Sequence, residues 1–121
     1  MLNVAILGAT NTPDRTAHQA QRMLADNDHR IFPVSPTQDE VGGLKAYRSL
    51  RDIPEPIDVV TVYVGPARLP DAVPDILAVK PARVIFNPGT EAPDIAAQLR
   101  EAGIATEEAC TLVLLRTGQF E

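Results

Sequence analysis

Five short runs of apolar, mostly β-branched residues recur along the chain and constrain its fold more than any other feature. Continuous apolar runs of this length are typical of strands that are covered on both faces of a sheet. Helical patterns separate most of the runs, and this alternation predicts right-handed βαβ crossovers in an α/β fold with a mostly parallel, doubly wound, five-stranded sheet. The runs occupy residues 3–8, 30–34, 57–64, 83–86 and, more weakly, 104–107.

The first helix is predicted to start at Thr16 and to end near Asn27. Thr16 and Gln19 have the T-x-x-Q form of a capping box, and the apolar residues that follow fall on one helical face. Asn27 tolerates the left-handed conformation that often ends a helix.

Two further helices are predicted after the third and fourth apolar runs. The former must begin late, near Ala72 or Val73, because prolines interrupt the residues around it. The latter starts close to Pro93 and stops at Gly103. The tail at residues 110–121 reads as a short apolar turn or helix at the edge of the sheet.

The chain has 121 residues, which predicts one domain spanning 1–121. We expect the strands, numbered as the runs occur, to lie in the order 3-2-1-4-5. In that order the first and fourth strands are neighbours where the winding reverses, so the loop at Gly8 and the loop at residues 87–91 open one crevice. The connection at residues 35–56 has little helical pattern and is expected to be a loop over this crevice.

Charge and cysteine content exclude several kinds of function. The formal charge is −5, from 16 acidic and 11 basic residues without a basic run, so we expect no nucleic-acid partner. The single cysteine, Cys110, allows neither an internal disulfide nor a cysteine-based zinc site. No apolar stretch approaches the roughly 18 residues that span a bilayer. We therefore expect a cytoplasmic protein without membrane contact and without a metal site.

The turn from the first apolar run into the first helix, VAILGATNTPDRTAHQ, is the candidate ligand-binding feature. The free N–H groups of a helix N-terminus attract phosphate, and Arg15 adds a cation. The same residues also fit an ordinary strand-to-helix turn with Arg15 in solvent. The loop has Gly8 alone instead of G-x-G-x-x-G, and the second run ends in Val34, Ser35 and Pro36 without the acidic residue of an NAD site. A nucleotide with phosphate on its ribose fits these features better than NAD.

These segments together resemble the small stand-alone CoA-binding domain proteins, relatives of the N-terminal domain of the succinyl-CoA ligase α subunit. The most specific pieces are the G-x-[ST]-x-x-P-x-[RK] loop at residues 8–15 and the Y-x-S-L-x-D-I-P-x-P-[IV]-D segment at residues 47–58. RIFPVSP and NPGTE complete the resemblance, which covers essentially the whole chain. It implies a Rossmann-like fold that binds coenzyme A, or a short acyl-CoA, across the C-terminal ends of the strands.

The resemblance also implies which residues contact the cofactor. The first loop would meet the phosphates, the end of the second run would border the adenosine, and the ends of the third and fourth runs would line the pantetheine path. Ser35 stands where relatives often have Asn, which is a departure at the adenosine side. The implied cofactor-binding residues are Gly8, Ala9, Thr10, Asn11, Arg15, Thr16, Val34, Ser35, Tyr63, Gly65, Asn87 and Gly89.

The sequence leaves three functions open. The leading hypothesis is a module that binds CoA or a short acyl-CoA without chemistry of its own. The alternatives are a CoA-holding subunit of a synthetase or acyltransferase assembly, and a ligand-free regulatory or structural domain. No catalytic residue is predicted: His18 and His29 are interpreted as structural or solvated, and Cys110 as a small buried hydrophobe rather than a thiol that bonds CoA.

Overall fold

The computed structural model describes residues 1–121 and contains a five-stranded sheet, a two-stranded hairpin and four α-helices. Short 3₁₀ turns cover Leu50–Asp52 and Leu69–Ala72. The strands are β1 (Asn3–Leu7), β2 (Arg30–Val34), β3 (Glu40–Val41), β4 (Leu44–Lys45), β5 (Val59–Val62), β6 (Arg83–Phe86) and β7 (Ala105–Glu108), and the helices are α1 (Thr16–Asp26), α2 (Val73–Val79), α3 (Pro93–Glu101) and α4 (Thr111–Arg116).

The five sheet strands are all parallel and lie in the order β2-β1-β5-β6-β7. The predicted α/β class with a doubly wound parallel sheet is confirmed. The predicted strand order was wrong, since the apolar runs lie in the order 2-1-3-4-5. The third run places β5 beside β1, where all four of its residues are buried. The long, mostly β-branched run at residues 57–64 was the signal for this central position, because a strand covered on both faces is apolar along most of its length.

The connection between β2 and β5 explains the change of order. It contains no α-helix that could cover the sheet beyond β2, only the β3–β4 hairpin and a 3₁₀ turn. Leu50 and Ile53 from this connection pack with β1 residues on the sheet face opposite α1. The chain therefore crosses that face and enters the sheet next to β1.

Alternate residues of each strand face two separate layers of helices. Val4 and Ile6 of β1 belong to the cluster with α1 and α4, while Ala5 and Leu7 belong to the cluster with α2 and α3. This division is the period-two alternation of a β-strand buried on both sides. No helix in the structure has the length and apolar character needed to cross a membrane.

Helix α1 starts at Thr16, as predicted, but without the predicted capping box. Arg15 occupies the N-cap with extended backbone angles, and no side chain caps the helix. Thr16 is the first helical residue, one position too late to serve as the cap of a T-x-x-Q box. The backbone N–H groups of Thr16 and Ala17 consequently have no acceptor within the protein.

The remaining helix predictions agree with the structure. Helix α2 begins at Val73, because Pro74 is tolerated in a first turn. Helix α3 begins at Pro93 and ends just before Gly103, which has a φ of +87°. The predicted loop at residues 35–56 contains the β3–β4 hairpin, and its residues Pro36, Arg48, Ser49 and Leu50 lie at the carboxyl edge of the sheet.

Candidate functional site

Two clefts open at the carboxyl edge of the sheet and share Gly8 between them. The helix cleft, about 360 Å³, lies between the β1–α1 loop (residues 8–15) and the residues after β6. The arginine cleft, about 230 Å³, lies between the end of β2 and the two 3₁₀ turns. The winding reverses between β1 and β5, not between β1 and β6 as predicted. Gly8 and Gly89 nevertheless line the same helix cleft, with Tyr63 and Gly65 beside them.

Gly8 follows β1 with a backbone conformation that favours glycine, and there is no room for a side chain at this position. Its φ is +94°, and a Cβ atom there would lie 3.0 Å from the Tyr63 carbonyl carbon and from Val64 Cγ1. The Gly8 and Ala9 N–H groups donate to the Val34 carbonyl oxygen at 3.1 and 3.0 Å. Glycine is thus required here by backbone packing, whatever the ligand.

The N-terminus of α1 faces the helix cleft with free hydrogen-bond donors. Thr16 and Ala17, whose N–H groups are unpaired, line the cleft together with Arg15. The Arg15 side chain is exposed and forms no ion pair. Two free N–H groups, a helix dipole and an unpaired guanidinium make this end of the cleft a suitable anion site.

Asn11, which the resemblance assigned to the phosphates, turns its side chain away from both clefts. Its Nδ2 donates to the Glu40 carbonyl oxygen at 2.8 Å, and its Oδ1 accepts the Gly42 N–H at 3.0 Å. Thr10 lines the helix cleft, and its hydroxyl accepts the Thr12 N–H at 3.2 Å.

At the other side of Gly8, Val34 lines the arginine cleft but Ser35 does not. Ser35 is only 2% exposed, and its Oγ accepts the N–H groups of Thr37 and Gln38. The hydroxyl therefore shapes the turn after β2. This turn carries no carboxylate where a dinucleotide site would need one for its ribose.

Two arginines of the arginine cleft were missed by the sequence reasoning. Arg48 is ion-paired with Asp39, whereas Arg68 forms no ion pair. The Asp71 and Asp75 carboxyls also line this cleft. Arg68 follows β5, and the predicted strand order placed that strand at the sheet edge beyond β2, away from the loop at Gly8. Only the correct strand order, with β5 beside β1, brings Arg68 close to Gly8.

Asn87 is a structural residue and not a cleft-lining one. It is 2% exposed, and its Nδ2 donates to Thr61 Oγ1 at 2.7 Å and to the Val62 carbonyl at 2.9 Å. Its Oδ1 accepts the Thr111 N–H at 2.8 Å, and the Thr61 and Thr111 hydroxyls bond each other at 2.8 Å. This network joins β5, β6 and the start of α4.

Tyr63 lines the helix cleft, but its hydroxyl is buried without a hydrogen-bond partner. Burial raises the pKa of the Tyr63 phenol to about 12, and the nearby Thr111 and Thr61 hydroxyls oppose the rise only in part. Those hydroxyls bond each other, and Thr61 Oγ1 also accepts from Asn87 Nδ2. The phenol is thus held in its neutral form.

The structure therefore divides the twelve predicted residues into two groups. Four of them, Ala9, Asn11, Ser35 and Asn87, line neither cleft. The eight that line one or both clefts are Gly8, Thr10, Arg15, Thr16, Val34, Tyr63, Gly65 and Gly89.

Both histidines and the cysteine lie outside both clefts. His29 is 8% exposed, and its Nδ1 accepts the Leu2 N–H at 3.1 Å. His18 has a buried Nδ1 atom without a partner, and Cys110 is a partly buried free thiol at the N-cap of α4. No three His, Cys, Asp or Glu side chains are grouped to hold a metal ion.

The parallel sheet, the glycine turn after β1 and the open N-terminus of α1 define a Rossmann-like α/β domain. Residues 3–116 match the family model of the CoA binding domain, and the chain belongs to this family. The resemblance stated from the sequence motifs is thereby confirmed.

Known relatives support this membership. The Bacillus subtilis (strain 168) protein YneT is 39% identical over 74 residues, which are 61% of this chain and 55% of YneT. An ADP-forming acetate–CoA ligase of Methanocaldococcus jannaschii is 34% identical over 62 residues, 51% of this chain but 9% of the ligase. The chain thus matches about half of one relative and a small part of the other. A crystal structure of an uncharacterized protein, 39% identical, has a TM-score of 0.94 over 99% of this chain and 98% of that one.

Replacing Gly8 tests whether backbone packing alone requires glycine there. We expect Gly8→Ala to lower the free energy of unfolding by about 1–3 kcal/mol, because of its positive φ and the contact with Tyr63. Gly65→Ala is the matched control, since a Cβ there meets nothing within 4 Å. Urea denaturation without ligand measures both, and equal stability of the two variants would contradict the packing argument.

Removing the Tyr63 hydroxyl tests its lack of a partner. Tyr63→Phe is expected to raise the free energy of unfolding at pH 7 by about 1 kcal/mol, since an unpaired buried hydroxyl carries a desolvation cost. The raised pKa of Tyr63 means that the unfolded chain loses this proton first, so the wild type loses stability as pH rises from about 10 to about 12. The Phe variant should lack this contribution in denaturation curves across that range. A lower stability for Phe at pH 7 would show that the hydroxyl is bonded.

Proposed function

We propose that this protein binds coenzyme A, or a short acyl-CoA, at the carboxyl edge of the sheet and performs no chemistry of its own. The observation that carries the proposal is the junction of the two clefts at Gly8, one with an open helix N-terminus and one with an unpaired arginine. CoA carries a pyrophosphate and a separate ribose phosphate, and each would have a cationic partner. Membership of the CoA binding domain family supports the same ligand.

The helix cleft fits the pyrophosphate. The N–H groups of Thr16 and Ala17 have no acceptor in the protein, so a phosphate oxygen would satisfy them. Arg15 would add charge-assisted hydrogen bonds without first breaking an ion pair. Asp14 also lines this cleft and is the one carboxylate among its lining residues.

The arginine cleft fits the adenosine part of CoA. Val34, Pro36 and Leu50 offer an apolar wall for a base, and Arg68 supplies a cation that forms no ion pair. The end of β2 lacks the carboxylate that binds the ribose hydroxyls of NAD. These features support a ligand with a phosphorylated ribose.

The helix cleft also fits the pantetheine arm with a small or absent acyl group. Gly65 and Gly89 line it, and a slender chain can pass where no side chain projects. Most of its lining residues are polar, including Thr10 and Thr90, so there is little apolar surface for a long acyl chain. We therefore favour free CoA or a short acyl-CoA.

A CoA-holding role in a larger synthetase assembly is the second candidate. The observation that favours it is the 34% identity to a segment of the acetate–CoA ligase. Co-purification with a synthetase-like partner chain would support it, whereas the leading proposal requires binding by this chain alone.

Calorimetric titration of the purified protein with CoA, with NAD and ATP as controls, tests the proposal directly. We expect saturable binding of CoA alone, and no response to CoA would overturn the proposal. Arg15→Ala is expected to weaken CoA binding roughly ten- to a hundredfold, the loss of charge-assisted hydrogen bonds to phosphate. Arg22→Ala, an exposed arginine on α1 outside both clefts, controls for net charge. Equal losses in the two variants would contradict a local role for Arg15.

A comparison of CoA with 3′-dephospho-CoA tests the arginine cleft. Arg68→Ala is expected to weaken CoA binding about tenfold and to leave dephospho-CoA binding nearly unchanged, because in this proposal the guanidinium contacts only the ribose phosphate. Arg116→Ala, on α4 and outside both clefts, should change neither affinity. An equal loss for both ligands in Arg68→Ala would contradict this assignment.

A further inference from the structure

Asn11 makes the only hydrogen bonds that connect residues 10–14 of the β1–α1 loop to another part of the chain. Its side-chain amide bonds the Glu40 carbonyl and the Gly42 N–H, 29 and 31 residues away. The other hydrogen bonds of this stretch join Thr10 to Thr12 and Thr12 to Arg15, within the loop itself. Hydrogen bonds therefore tie residues 10–14 to the rest of the chain only through the β3–β4 hairpin, while Gly8 and Ala9 bond the end of β2.

The hairpin is fixed on α1 and on Asn11 through its β3 side, while Tyr47, after β4, holds the other side on β2: its N–H donates to the Pro33 carbonyl and its carbonyl accepts the Ser35 N–H, both at 2.9 Å. Val41 is completely buried against α1 residues, and its carbonyl accepts a hydrogen bond from Gln21 Nε2 at 3.0 Å. Gly42 lies so close that a Cβ atom there would be 2.5 Å from Gln21 Nε2. Helix α1, the hairpin and the β1–α1 loop thus form a closed ring of contacts in which Asn11 is one link.

The hairpin depends on these contacts because it is very short. Strands β3 and β4 have two residues each, paired as Glu40 with Lys45 and Val41 with Leu44. An isolated two-stranded hairpin is marginal in water even when it is longer. The Glu40–Gly42 side of the hairpin is therefore sensitive to whether Asn11 holds it, whereas the chain after β4 is held on β2.

We propose that Asn11 is a positioning residue of the CoA site, and that through it ligand binding at the β1–α1 loop and order of the β3–β4 hairpin are coupled. This inference rests on the proposed function. The Asn11 side chain lines neither cleft. It holds the loop so that Thr10 and Arg15, on either side of it in the sequence, line the helix cleft. Because coupling is reciprocal, CoA must stabilise the hairpin by the factor by which the hairpin strengthens CoA binding. A protein that binds the hairpin would thus change the affinity of this chain for CoA.

The test combines calorimetry with hydrogen exchange of the Gly42 amide, measured by NMR with and without CoA. In the wild type, CoA is expected to slow Gly42 exchange about tenfold, the scale of the two hydrogen bonds that Asn11 makes. Asn11→Ala should bind CoA about tenfold more weakly. Its Gly42 amide should exchange fast, at the same rate with and without CoA. Asn27→Ala is the matched control, since the Asn27 side chain bonds only the Met23 carbonyl at the far end of α1. It should behave as the wild type in both measurements.

The possible results separate this inference from the proposed function. No CoA binding by the wild type would overturn the proposed function and the inference with it. CoA binding without any change in wild-type Gly42 exchange would overturn only the inference, and this measurement needs no variant. Equal CoA affinity of Asn11→Ala and wild type would likewise overturn only the inference. Exchange of the Val60 amide, in the centre of the sheet, reports whether each variant is folded.

Discussion

The close approach of Gly8 to the backbone of Tyr63 is the constraint on which the site depends. A Cβ atom at residue 8 would lie 3.0 Å from the Tyr63 carbonyl carbon, so β1 and β5 can end side by side only with glycine there. The same residue donates its N–H to Val34 at the end of β2. Three neighbouring strands therefore finish around one residue, and the two clefts open on either side of it.

Beneath this edge, a buried polar network ties the C-terminal helix to the sheet. Asn87 uses both its amide nitrogen and its amide oxygen within the protein, and the Thr61 and Thr111 hydroxyls bond each other. Buried polar groups are costly when unpaired, so a network of this kind specifies how α4 docks. The Tyr63 hydroxyl beside it remains unpaired and is held neutral by burial.

The β1–α1 loop separates residues that shape the site from residues that face it. Gly8 and Asn11 set the path of the backbone, one by its lack of a side chain and the other by its bonds to the hairpin. Thr10, Arg15 and Thr16 face the helix cleft. A sequence motif contains both kinds of residue, because a loop that binds a ligand must also be held in place. For this reason the motif at residues 8–15 led to the correct family and named a contact residue, Asn11, that turns away from the clefts.

The sequence by itself determined the α/β class, the positions of the five sheet strands, the start of α1 at Thr16 and the family. These properties depend on local periodicity, on proline and glycine placement and on motif spacing, which are all readable along the chain. Tertiary structure decided the strand order and the hydrogen bonds between Asn11 and the hairpin. It also decided that Asn87 and Ser35 are buried and that Arg68 lines the arginine cleft. Each of these depends on contacts between residues far apart in sequence. Right-handed crossovers permit either strand order, so handedness could not choose between them, and the long third run at residues 57–64 was the one local sign of a central strand.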